Sequence, residues 1–256
     1  MKKTLMIVVA LLVFTLPLSA YSVNSLKSID KKSLRSEMVA QSATVIQKNQ
    51  RQWHKEIFDS KVKVVHSAGF TDEFNTTSLT LDQLQNHNQS VIKGTVYNLQ
   101  KMNSPKNMAY TKAKIHVDKV ISGDKTMQGK NIYLVFDGGL VSFNHWYTKE
   151  QSKNAERELF VKNDEFPLPA IGSKIITGLI PNHLDEPSDH NAVLKQSGFT
   201  IHNSYTISNP KYNLWIKNTS AKEFQLNNPK LKEKTNNPLI RKLQSLTKQL
   251  NQKYNK

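Results

Sequence analysis

The sequence predicts a mainly β protein, α+β overall, in which one small β-barrel carries an amphipathic helix at each end. Three observations lead there. Short β-branched runs recur between residues 62 and 217. Apolar residues return at helical spacing on either side of that stretch. Glycines also sit in the middle of two runs, at Gly94 and Gly178, where a small barrel bends sharply to close. The 256 residues divide into a leader over 1–20, a basic helical segment over 21–61, the barrel over 62–217, and a basic linker with a helix over 218–256.

Met1-Lys2-Lys3 is a basic start, and Leu5 to Leu16 is apolar apart from Thr15. Pro17 ends that run ahead of the small residues Ser19, Ala20 and Ser22. This is the anatomy of a secretory signal peptide. The apolar run is shorter than the ~20 residues of a spanning helix. Cleavage is expected after Ala20; a cut after Ser22 is the better small-x-small match and stays open. No later run approaches spanning length, so the mature chain is expected to be secreted without a transmembrane anchor. The preference for Lys over Arg, the many Asn and the absence of cysteine suggest a Gram-positive source. Without cysteine there are no disulfides, Cys-ligated metals or thiol catalysis.

Over 24–60, Leu34, Met38, Val45, Trp53 and Ile57 recur at helical spacing, with Ile46 and Phe58 flanking the stripe and Asp30 or Ser33 as a cap. Strands are expected at Lys61–His66, Ser90–Leu99, Ala109–Ile121, Asn131–Phe136, Lys174–Ile180, Ala192–Leu194, Gly198–Ile201 and Tyr212–Ile216, forming a meander. Leu79–Leu84 reads as one or two helical turns. Residues 227–236 are polar and basic, as a linker would be. Asn237-Pro238 then fits an N-cap followed by Pro at the first helical position. Leu239, Leu243, Leu246, Leu250 and Tyr254 form the stripe of a last helix.

Several short motifs occur in order: Leu81-Asp82-Gln83-Leu84, Gly94-Thr95-Val96, Val117 to Asp124, Gly138-Gly139, Pro169 to Gly172, Ile175-Ile176 and Gly198-Phe199-Thr200. That order resembles small secreted Gram-positive bacterial proteins, many of unknown function, with a netrin-like or metalloprotease-inhibitor-like OB barrel. The resemblance covers residues 79–207 and implies an OB/netrin-like β-barrel. Metalloprotease inhibitors of this fold ligate the enzyme's zinc through an N-terminal cysteine, which this chain lacks. That mechanism does not carry over.

The chemistry-bearing residues are sparse. The densest group is His183-Leu-Asp185-Glu186-Pro-Ser-Asp189-His190, whose functional reading is a surface metal or acid site of an extracellular hydrolase. Asp164-Glu165 and Glu156/Glu158 are candidate paired carboxylates, and Phe143, Trp146 and Tyr147 a candidate aromatic platform. Each reads more simply as a solvated loop, a solvated face or packing. No catalytic, cofactor-binding or metal site is therefore assigned, and no cofactor is implied.

Thirty-six Lys and Arg against 20 Asp and Glu give +16, but the excess is uneven. Residues 21–65 carry nine basic and four acidic side chains, residues 66–200 carry 14 of each, and residues 201–256 carry 11 and two. A neutral barrel argues against nucleic-acid binding by the barrel, leaving the basic tail as the alternative place for it. The expectation is a secreted, non-enzymatic binding protein retained at the cell surface by its flanks. Its partner would be an anionic cell-wall polymer or lipid surface, or an unknown extracellular protein.

Overall fold

The computed structural model describes residues 41–58, 62–67, 77–147, 157–232 and 237–255. The leader, Leu34, Met38 and the cap candidates Asp30 and Ser33 lie outside the described residues, as does Glu156. One compact unit runs from Ile46 to Lys256, and a helix (α1) is continuous over 41–58.

Lys63–Ser67 (β1) is the alternating run expected near 61–66. Leu81–Asn86 (α2) is capped by Thr80, whose Oγ1 accepts from the Gln83 N–H at 3.1 Å, and it buries Leu81 and Leu84. Ser90–Met102 (β2), Tyr110–Ser122 (β3) and Asn131–Asp137 (β4) then pair antiparallel in succession. Gly139–Ser142 (β5), the single-turn helix Phe143–Trp146 (α3) and Glu158–Asn163 (β6) follow; β5 and β6 join β1 in a separate sheet of order β1–β6–β5. Lys174–Pro181 (β7) returns beside β2, Asp189–Gln196 (α4) crosses over, and Ser204–Ile207 (β8) inserts between β7 and β4. Pro210–Asn213 (α5), Leu214–Lys217 (β9), Gln225–Leu226 (β10), Pro229–Lys232 (α6) and Pro238–Tyr254 (α7) complete the order.

The strands β2, β3, β4, β8 and β7 close on themselves into a five-stranded barrel, with β4–β8 the parallel rung. In order of occurrence the ring is 1-2-3-5-4-1, an OB-like barrel. Alternate residues face inward and make its core: Ile92 and Val96 from β2, Ala113, Ile115 and Val117 from β3, and Ile132, Leu134 and Phe136 from β4. Gly94 lies at a register shift between β2 and β3, and a Cβ there would stand 2.7 Å from Ile115 Cγ2. The ladder is therefore irregular at Gly94, with the extra residue, Asp118, on β3. Gly178 has another cause. The β2–β7 register passes it unbroken, and a Cβ would lie 2.2 Å from the buried Asn88 amide, which donates to Leu84 O.

Helix α1 lays Ile46 and Trp53 against the barrel core, while Val45 and Phe58 of the expected stripe are exposed. Its polar side chains satisfy backbone carbonyls of the barrel: Asn49 Nδ2 donates to Tyr97 O of β2 (2.9 Å) and Gln50 Nε2 to Ile171 O in the turn before β7 (2.6 Å). Helix α7 begins as expected, with Asn237 Oδ1 accepting from Leu239 N at 2.8 Å. It buries Ile240, Leu243, Leu246 and Leu250, the last two packing with Val91, Ile176, Trp215 and Phe224 on the outer face of the sheet.

Three expectations need correction. Ala192–Leu194 is not a strand but part of α4, which Ser188 caps by accepting from Asn191 N (3.1 Å). Gly198–Ile201 is a turn with Gly198 at φ +76°, and the closing strand is β8 instead, so the topology is a closed ring and not a meander. Residues 227–232 are not a free linker: Asn228 is buried, and Asn227 Nδ2 donates to Pro167 O at 2.7 Å.

Candidate functional site

The loop at 183–190 does not gather its chemistry. His183, Asp185, Glu186 and Asp189 are exposed, whereas His190 turns inward with Nδ1 3.2 Å from the Tyr110 hydroxyl and its ring edge-on to Tyr110. Among the described residues, no group of three or more His, Asp or Glu is placed to hold a metal ion. Burial pushes the His190 imidazole below its ordinary value, and burial with Asp137 nearby pushes the Tyr110 phenol up to about 12. The unfolded chain therefore takes up the His190 proton first as pH falls. Docking of α4 should be intact above about pH 6.5 and weaken below it. Thermal melts between about pH 8 and about pH 5 should show that loss, reduced in His190→Gln. An unchanged pH profile in the variant would remove His190 as its source.

The candidate carboxylates are separated as well. Asp164 sits 2.7 Å from His66 Nδ1, which holds its carboxyl below the usual range; Glu158 pairs with Lys101 and Glu165 with Lys211. Phe143, Trp146 and Tyr147 pack on the β5–β6 core of Val141, Leu159 and Val161. OB barrels commonly bind ligands on the outer face of their second and third strands. Here those strands are β3 and β4, and Tyr110, Tyr133 and Val135 pack with Leu194 and Phe199 from α4 and the turn after it. Lys112 is stretched across this cover, 3.9 Å over the Tyr133 ring, donating to Ser197 O.

A polar cluster lies on the adjoining face, at the C-terminal end of α7. Strand register builds it: Lys93 is opposite Lys119, and Lys174 is opposite both Thr95 and Lys217. Four strands thus bring four lysines together, with Lys174 paired to Asp118 and with Lys119, Lys174, Lys217 and Asp118 all within electrostatic reach of Lys93. Asp118 Oδ2 accepts from Lys174 Nζ (2.9 Å) and Thr95 Oγ1 (2.7 Å). Lys93 Nζ donates to Tyr254 O and Lys217 Nζ to Asn255 Oδ1, each at 2.7 Å, and Lys119 lies 5.4 Å over the Tyr254 ring. The C-terminal end of α7 carries partial negative charge, so three of the lysines meet it favourably. Burial lowers the Lys93 pKa first, and although Asp118 raises it, Lys174, Lys217 and Lys119 lower it further. Tyr97 and His116 stack beside the cluster, centroids 5.1 Å apart.

Summing charge by segment hides this sorting. The net zero of residues 66–200 conceals Lys93, Lys119 and Lys174, and strand register adds Lys217 from the basic segment that follows. Rigid strands fix the backbone positions of the ammonium groups, an arrangement that suits polydentate anions such as phosphates. No protein-family model, no curated protein and no solved structure matches the chain.

Proposed function

We propose that the protein is an exported, non-enzymatic binding protein held at an anionic, phosphate-bearing surface, with its OB-like barrel as the scaffold. The convergence of Lys93, Lys119, Lys174 and Lys217, with one ion pair between Lys174 and Asp118, carries this reading. The signal-peptide pattern at the N-terminus supports export, and the exposed Arg241, Lys242, Lys248 and Lys253 extend the positive surface along α7. The netrin-like, Gram-positive affiliation rests on motif order and composition and belongs to the same proposal.

Phosphate chemistry can come from a cell-wall polymer or from lipid head groups. On intact cells, about 1 M salt, where the Debye length is about 3 Å, should release the protein. Recovery mainly in the culture medium at low salt would overturn surface retention. Poly(glycerol phosphate) and phosphatidylglycerol vesicles, tested separately, distinguish the two sources by which one retains the purified chain.

A further inference from the structure

We infer a second binding site, for an uncharged oligosaccharide, in the groove between α1 and the far end of β2. The groove is open to solvent and has a volume of about 780 Å³, within the ~300–1,000 Å³ of small-molecule sites. Four consecutive residues, Asn98 to Lys101, line it. Alternate side chains of a strand point to opposite faces, so a consecutive run marks an open edge. The pairing agrees: β2 pairs with β7 from Ser90 to Thr95, Val96 still exchanges backbone bonds with Gly172 and Ser173, and Asn49 takes Tyr97 O. But β2 follows β3 to Met102, so from Asn98 onward its second edge has no strand partner among the described residues.

The lining chemistry is that of a sugar site. Hydroxyl groups both donate and accept, and side-chain amides do the same; Gln52, Asn98 and Gln100 supply three of them, with the edge backbone beside them. Trp53 is half-buried, packing partly on the barrel core, and it also lines the groove, where an indole covers the C–H face of a pyranose. Charge is balanced: Lys55 and Lys101 are matched by Glu56 and Glu158, Lys101 pairs with Glu158, and Gln52 Nε2 donates to Glu56 Oε1 at 3.2 Å. A polyanion gains nothing here, whereas a neutral polar chain is met by groups already oriented. All the lining residues stand on α1, β2, β5 and β6, so the wall is preformed.

The site is independent of the lysine cluster, and so is its test. The full chain is titrated calorimetrically at about 1 M salt, where the cluster's attraction for anions is screened. The probes are trisaccharides of glucose, α-1,4- and β-1,4-linked, and of N-acetylglucosamine. At least one should bind, and binding should weaken at least tenfold in Gln100→Ala, whose side chain is exposed and carries no packing. Trp53→Phe, which keeps an aromatic ring on the core, should weaken it similarly with an unchanged melting curve. Failure of all three trisaccharides, or binding untouched by both substitutions, overturns the inference. Binding of a pool of uncharged blocked hexapeptides in place of every saccharide also overturns it, since the open edge would then serve strand addition.

Discussion

Neutralising Lys93, Lys119 and Lys217 together, each to Gln, is expected to weaken binding to phosphatidylglycerol vesicles or poly(glycerol phosphate) about a hundredfold. Each lysine near an anionic surface contributes about 1 kcal/mol, and about 3 kcal/mol is roughly two decades of affinity. The dependence on salt should flatten as well, because fewer counterions are released. Lys174 is left in place since it holds Asp118 and Thr95 together. The comparison that decides the matter is Arg241→Gln/Lys242→Gln/Lys248→Gln, which removes the same charge from exposed positions on α7. Vesicle co-sedimentation should separate the two triple variants clearly. Equal losses would mean that net charge acts without the cluster, and the proposed site would fall.

Trp215→Ala is expected to destabilise the unit by about 3–5 kcal/mol, the usual range for a buried Trp. Trp215 is fully buried on the outer side of β9, beneath α7 with Ile176, Phe224, Leu246 and Leu250. Its Nε1 donates to Thr247 Oγ1 at 2.8 Å, and Thr247 in turn donates to Leu243 O, so the indole is tied to the helix that covers it. Trp215→Phe should cost less, retaining most of the packing and losing a hydrogen bond of about 1 kcal/mol. Urea unfolding measures both losses. A loss under about 1 kcal/mol for the alanine variant would contradict the packing assigned to α7. The substitution should also weaken anion binding indirectly, because releasing α7 removes the Tyr254 and Asn255 groups that hold Lys93 and Lys217.

What could be read from the chain follows from how local each feature is. Strands β2, β3, β4 and β7 are long runs of alternating or β-branched residues, and α7 carries both a cap and an apolar stripe; each announces itself within its own residues. Ala192-Val193-Leu194 is too short to separate the two periods, and the signal that decides it is the cap at Ser188. Strand β8 is four residues, Ser204–Ile207, and owes its place to partners on β4 and β7 far along the chain. The lysine cluster was illegible for the same reason. Lys93, Lys119, Lys174 and Lys217 share no spacing, and register alone makes them neighbours. The groove beside α1 depends on where one pairing stops, at Thr95, which no motif marks. The imidazoles at 183 and 190 were close in sequence, yet the structure exposes one and turns the other inward.

The parallel rung between β4 and β8 also fixes an order in time. Strands β2, β3 and β4 are joined by short connections and can pair as soon as they emerge, at the pace of hairpins. The rung joins Tyr133 to Ser204 and Leu134 to Tyr205, across the whole of β5, β6, β7 and α4. Bringing those ends together carries the entropy of a long loop, so the ring closes late and slowly compared with its own hairpins. Until that moment the edges of β4 and β7 lie open, and the chain is most exposed to pairing with its neighbours.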